Sequence, residues 1–305
     1  MKAYDDLLAR AETLHFIIKT TSNWLTVVAG RLRKVDTVAH FRGGNSISVT
    51  NASWNEYILH VHLFARLPSA KLEKDTLSFD YMGRRLSMKF GRYGFSTIYE
   101  IFAFDPYGDF MKKLYINNLV VIDIGAAFGD TAIYFLFKGA RKVIGYEAFP
   151  GYFDCAVSNI GNNGFSDLCE IKLCAVGGKS GELKVDTNST DMFGTNVSVS
   201  ADGALVPVIT LEEAVKLDNV ENALLKLDTE GYEYEILFNS NIETIRKFKY
   251  MLIEYHYGYE SIERFLTQCG YEYFHTGPTD VYVPYLVDED SRHMKTGHVV
   301  ATRID

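Results

Sequence analysis

The sequence predicts an α/β fold, a parallel sheet wound by helices, preceded by a smaller α+β region. Apolar runs of strand length recur along the last two thirds: LVVIDIG (119–125), KVIGYE (142–147), CEIKLCAVG (169–177), ALLKLD (223–228) and KYMLIEYH (249–256). Helix-like stretches such as DTAIYFLFKG (130–139) and FDCAVSNIGNNG (153–164) separate the first of them. Strands alternating with helices imply parallel pairing through right-handed crossovers. Nearly every run also ends in polar or acidic residues, at the carboxyl ends where such sheets bind ligands.

Taken in order, residues 2–33 hold helical pieces, with Tyr4, Leu7, Leu8, Ala11 and Leu14 at helical spacing. FRGGNSISV (41–49) reads as a hairpin turn at Gly43-Gly44 entering a strand. Trp54 to Leu67 reads as a helix capped by Asn51 or Ser53. His60 and His62 then lie on its surface rather than forming a metal fragment. DTLSFDYMGRRLSMKF alternates apolar and polar residues about a Met82-Gly83 turn, a second hairpin. The expected division is an accessory region, 1–114, and a main domain, 115–305.

With 305 residues, 47% hydrophobic and 23% charged, the composition is that of a folded soluble protein. A net charge of −8 argues against a nucleic-acid partner, which favours Lys/Arg stripes. No run approaches the ~18 apolar residues of a membrane span. Cys155, Cys169, Cys174 and Cys269 form no C-x-x-C pair, and the N-terminus lacks an apolar signal core, so a reduced, cytoplasmic setting is expected. Oligomeric state is not legible.

The loop DIGAAFGD runs from Asp123 to Asp130. A dinucleotide site needs G-x-G-x-x-G with phosphate on the helix N-terminus, but Ala127 and Asp130 occupy the second and third glycine positions. A carboxylate there repels pyrophosphate, which weighs against NAD and an oxidoreductase. It suits a phosphate-free nucleoside carrying positive charge, such as S-adenosylmethionine (SAM). Glu147 ends the next strand, placed to accept both ribose hydroxyls.

VVIDIGAAFGDTAIYFLFKGARKVIGYEAFP (120–150) resembles the opening of an FkbM-type SAM-dependent methyltransferase. CEIKLCAVGGKSGEL, VPVITLEEAV, LLKLDTEGYEYEIL and LIEYH follow in the family's order. The K-x-D-x-E-G-x-E run, here Lys226, Asp228, Glu230, Gly231 and Glu233, is the most family-specific block. The likeness covers roughly residues 115–303; Ala148 stands where the family usually has Pro.

The resemblance implies a class I Rossmann-like sheet, mostly parallel with one antiparallel strand near the C-terminus. It also implies methyl transfer, most often to a hydroxyl of a sugar, glycan or other small metabolite. Asp123, Gly125, Ala126 and Gly129 would shape the methionine pocket, with Asp130 and Thr131 at the cofactor's amino-acid end. Glu147 and Ala148 would lie by the ribose, and Asn163 and Ala175 at the adenine edge. Asp228 and Glu230 would face the transferred methyl.

Methyl transfer to oxygen needs alignment and a proton acceptor. Asp228 and Glu230 stand i, i+2 past one strand end, and Glu254 and His256 bear the same relation on the next. Two arrangements fit: a carboxylate or His256 takes the proton, or Asp228, Glu230 and Glu254 hold a divalent cation that acidifies the hydroxyl. Glu233 and Glu235 read as negative charge stabilising a helix start. Lys226 either pairs with a nearby acid or ends near the sheet edge. The polar, turn-rich stretch 186–203 reads equally as a lid over the acceptor or as a polar hairpin without function. A SAM-binding protein without catalysis is the competing reading from outside enzymes.

Overall fold

The computed structural model describes residues 2–90, 94–185, 203–282 and 293–304, which form two compact units, Met1–Pro106 and Tyr107–Asp305. In the first, helices α1 (Lys2–Thr20) and α2 (Trp24–Arg33) precede the hairpin β1 (Thr37–His40) and β2 (Ser46–Val49). Helix α3 (Trp54–Arg66) follows Ser53, whose hydroxyl bonds Thr50 instead of capping the helix. β3 (Lys71–Glu73), β4 (Thr76–Tyr81) and β5 (Arg84–Lys89) make an antiparallel sheet. Met82 and Gly83 both take positive φ between β4 and β5, the geometry that matches hairpin twist. A short α4 (Gly94–Ile98) continues as a π-helical turn, Tyr99–Phe104.

His60 is not on the surface. It is 5% exposed, its Nδ1 faces the Glu56 carbonyl, and its ring stacks on Phe95. The buried stripe of α3 also includes Tyr57, Val61 and Phe64, and His60 falls within it at helical spacing.

The second unit begins at Tyr107. Tyr107 lies face to face with Phe135 and edge-on to Tyr134, and Phe110 meets Phe274, so the short helix α5 (Gly108–Met111) belongs to this core. Then come β6 (Val120–Ile124), α6 (Asp130–Phe137), β7 (Lys142–Glu147), α7 (Pro150–Asn162) and β8 (Cys169–Leu173). β9 (Ala175–Val176), β10 (Gly181–Val185) and β11 (Ala204–Ile209) form a side sheet. α8 (Leu211–Leu217), β12 (Ala223–Leu227), α9 (Glu233–Asn239), α10 (Ile242–Ile245), β13 (Phe248–Tyr255) and α11 (Glu260–Gln268) follow. The last elements are β14 (Tyr271–His275), β15 (Thr279–Tyr282) and β16 (His293–Arg303).

The main sheet runs β14-β16-β13-β12-β6-β7-β8, with β15 paired to β16. β8, β7, β6, β12 and β13 pair in parallel, while β16 lies antiparallel to β13 and β14. The class I methyltransferase sheet is therefore present, including its reversed strand near the C-terminus. One face carries Ile122, Ile124, Leu225, Leu227, Met251 and Ile253 into a core with α8, α9 and α11. Alternation along each strand turns Asp123 and Lys226 to the other face, and pairing sets them side by side. Reversal of chain order between β6 and β12 opens the crevice there.

No helix among the described residues is long and apolar enough to cross a membrane. Of the 186–203 stretch, all but Gly203 lies outside the described residues.

Candidate active site

Gly125 leaves β6 at φ +82, and a Cβ there would stand 1.8 Å from the Asp228 carbonyl oxygen. Only glycine lets the loop lie against the end of β12. Asp228 N–H in turn donates to the Ile124 carbonyl at 3.1 Å, tying the two strand ends together. Ala127 (φ 43) and Gly129 (φ 73) complete the turn into α6. Ala126, Asp130 and Thr131 are buried at that entry.

Beneath the loop sits Lys226, 2% exposed. Its Nζ donates to the Gly125 carbonyl at 2.8 Å and pairs with Asp123 at 3.2 Å and Asp228 at 3.4 Å. Burial alone would depress this ammonium, but the two carboxylates outweigh it and hold its pKa above the usual lysine range. Asp123 takes a 2.6 Å bond from the Thr131 hydroxyl on its other oxygen. Of the two expectations for Lys226, an ion pair or a place near the sheet edge, the ion pair is the one that forms. Its signal was the K-x-D spacing, which puts 226 and 228 on one face of a strand.

Glu147 ends β7 nearly buried, accepting the Ala127 N–H through Oε2 and the Phe149 N–H through Oε1, each at 2.8 Å. Burial pushes its carboxyl up to about 7 against those two bonds. Ala148 is half-buried beside it. Cys174 N–H donates to the Glu147 carbonyl, which brings the start of β9, Ala175, near this strand end. Asn163 is buried at the end of α7 with its amide donating to the Asn159 carbonyl at 2.8 Å.

Across β12, Glu230 adopts φ +55 and the next residue, Gly231, φ +111. The two left-handed residues turn the Glu230 side chain toward β13, where its Oε2 lies 3.2 Å from His256 Nε2. His256, 3% exposed just beyond β13, has its Nδ1 3.2 Å from Glu233 Oε1. Burial raises the Glu230 carboxyl to about 7, with the His256 contact pulling the other way. For His256, burial opposes charge, but Glu233 and Glu230 prevail and lift it well above the ordinary histidine value.

Asp228, Glu230 and His256 each bring one oxygen or nitrogen within 4.8 Å of the others. Glu254 does not join them. It lies beside β16 in register with His298, and its carboxylate turns to that imidazole at 3.4 Å. Glu235 is exposed at the start of α9. Glu233 is wholly buried, so it does more than favour a helix start.

Residues 123–273 match the model of the methyltransferase FkbM domain. The second unit carries an FkbM methyltransferase domain. Among solved structures, this SAM-dependent methyltransferase resembles the YcgJ protein of Bacillus subtilis, at 10% identity and a TM-score of 0.42 over 66% of this chain and 98% of that one. It also resembles precorrin-6y C5,15-methyltransferase of Geobacter metallireducens, at 14% identity and 0.37, over 67% and 88%. A third is aTrm5 in its complex with tRNALeu, at 13% and 0.41, over 77% and 55%. No curated protein matches the sequence. The FkbM assignment rests on the family match, and the sheet order of the methyltransferase agrees with it.

Proposed function

We propose that this methyltransferase moves the methyl of SAM to a hydroxyl oxygen of a sugar, a glycan or another small metabolite. The observation that carries the reading is the Glu230–His256 pair at 3.2 Å, standing with Asp228 at the strand ends next to the glycine loop. A carboxyl raised to about 7 by burial, in contact with an imidazole, suits removal of a hydroxyl proton. Asp123, Asp130, Glu147 and Asp228 stand around the loop with Lys226 the cation paired among them, a net negative set that fits a cationic cofactor and disfavours a pyrophosphate. The four free cysteines suit a reducing, cytoplasmic setting.

When bound, SAM supplies an electrophilic methyl on a sulfonium. Glu147 accepts the ribose hydroxyls through lone pairs not used by Ala127 and Phe149. Asp123, Gly125, Ala126, Gly129, Asp130 and Thr131 shape the methionine end, and Ala148, Asn163 and Ala175 the nucleoside side. Asp228 accepts the acceptor hydroxyl's hydrogen bond and so aims its oxygen. His256 Nε2, beside Glu230, receives the proton. Incubation with methyl-labelled SAM and a panel of sugars and glycans tests this: label on oxygen supports it. Label on nitrogen alone, or tight NAD binding with no calorimetric heat from SAM, overturns it.

Cofactor affinity should follow the ionisation of Glu147. Its carboxyl is raised to about 7 in the free protein, and ribose hydroxyls bond best to the ionised form. Binding then releases a proton, so SAM binds about tenfold tighter at pH 8 than at pH 6 and levels off above. Calorimetry of wild type should show this slope. Glu147→Gln should bind more weakly, with the slope gone.

A further inference from the structure

We propose that Glu233 is a positioning residue for His256, holding Nδ1 so that Nε2 is presented to Glu230 and the acceptor. The inference rests on the reading of His256 as the proton acceptor, and it gives a role to a carboxylate that spacing alone marks as a helix-start charge. Three geometric facts support it.

Glu233 is 0% exposed, whereas a carboxylate that only favours a helix start can stay in water. Its oxygens are also committed. Oε1 accepts Thr229 N–H at 2.7 Å, Thr229 Oγ1 at 3.1 Å and Gly231 N–H at 3.1 Å; Oε2 also lies 3.1 Å from Gly231 N. The same side chain thereby braces the left-handed turn that carries Glu230. Finally, Oε1 reaches the imidazole at 3.2 Å on the nitrogen opposite Glu230. An imidazole between two carboxylates has its ring plane and tautomer set by whichever partner is fixed. Glu233 is the fixed one, being wholly buried, while the Glu230 side chain is 26% exposed. The 3.2 Å approach is an ion-pair contact without hydrogen-bond alignment at Nδ1; under the proposal it keeps the hydrogen on Nδ1, so that Nε2 is the nitrogen that takes a proton.

The other charged and titratable groups around His256 do not substitute for it. Asp228 at the end of β12 is paired with Lys226, and Glu254 on β13 with His298. The Tyr234 hydroxyl of α9 donates to the Gly258 carbonyl and accepts the Tyr257 N–H. From β16, Lys295 meets His256 through backbone, its N–H donating to the His256 carbonyl.

The test uses the full chain labelled with 15N-histidine, without SAM or acceptor, and reads ring nitrogens by NMR; His256→Asn assigns the resonance. Wild type should show the Nδ1–H tautomer and a titration midpoint above that of free histidine. Glu233→Gln, nearly isosteric, should lower the midpoint by at least one pH unit, about tenfold in proton affinity. Thr229→Val removes a loop bond to Glu233 without touching His256 and should leave the midpoint in place. An Nε2–H tautomer with an ordinary midpoint in wild type overturns the proposal whether or not Glu233→Gln folds. An unmoved midpoint in folded Glu233→Gln also overturns it. None of these readings needs methyl transfer, so failure of His256 as the proton acceptor would be seen separately, as unchanged label transfer by His256→Asn.

Discussion

Replacing Lys226 by methionine should cost about 3–5 kcal/mol of unfolding free energy, the penalty for stranding a buried charge. The ammonium is 2% exposed, and its nearest carboxylate, Asp123, is 0% exposed. Methionine nearly fills the lysine's volume, so packing changes little. What changes is that Asp123 loses its counter-charge and keeps only the Thr131 hydroxyl, while the Gly125 carbonyl loses its donor. The double variant Asp123→Asn/Lys226→Met removes both charges and should recover a large part of the loss, because a buried pair replaced together is often close to neutral. Urea titration of wild type, single and double variants measures this. A Lys226→Met midpoint equal to wild type would mean that the pair carries no net stability.

Replacing Asp228 by alanine should lower kcat at least about a hundredfold, a size typical of lost alignment or proton handling. SAM affinity should change far less. Asp228 is one of the two carboxylates on Lys226, but its side chain is 24% exposed against 0% for Asp123. Asp123 is wholly enclosed against Lys226, whereas Asp228 keeps part of its carboxylate exposed with the ammonium on its other side. Stability should fall less than in Lys226→Met, since the remaining pair, Lys226 with Asp123, is the more buried one. Single-turnover methyl transfer beside SAM calorimetry separates the effects. An unchanged kcat would remove Asp228 from the reaction, and a SAM affinity lost in parallel with kcat would make it a cofactor residue instead.

Much of the fold was legible in local pattern. Continuous apolar runs with acids at their ends announced parallel strands, and the Met82-Gly83 turn announced its hairpin, because backbone conformation there follows from a few neighbouring residues. The unit boundary was less so. Tyr107 and Phe110 follow no strand or helix period of the main domain, and their rings against Tyr134, Phe135, Phe274 and His298 attach them to it. His60 went the same way: a histidine at helical spacing reads as surface until Phe95 is found stacked on it.

At the site, sequence by itself determined the residue types and their spacing: a glycine where φ must be positive, an acid at the end of most of the strands, a lysine and an aspartate two apart on one face. Those are properties of a few consecutive residues, and local chemistry is enough to read them. Tertiary structure alone decided the partners. Lys226 meets Asp123 across more than a hundred residues of chain because β12 pairs with β6, and Glu254 turns to His298 because β16 runs beside β13. His256 lies between Glu230 and Glu233 because two successive left-handed residues fold the β12–α9 turn back over β13. Charge interactions depend on distance and burial, neither of which spacing along the chain reports. The acidic run of LKLDTEGYEYE was therefore visible from the start, while its division into a carboxylate on Lys226, two carboxylates against His256 and an exposed helix charge was set by what packs around it.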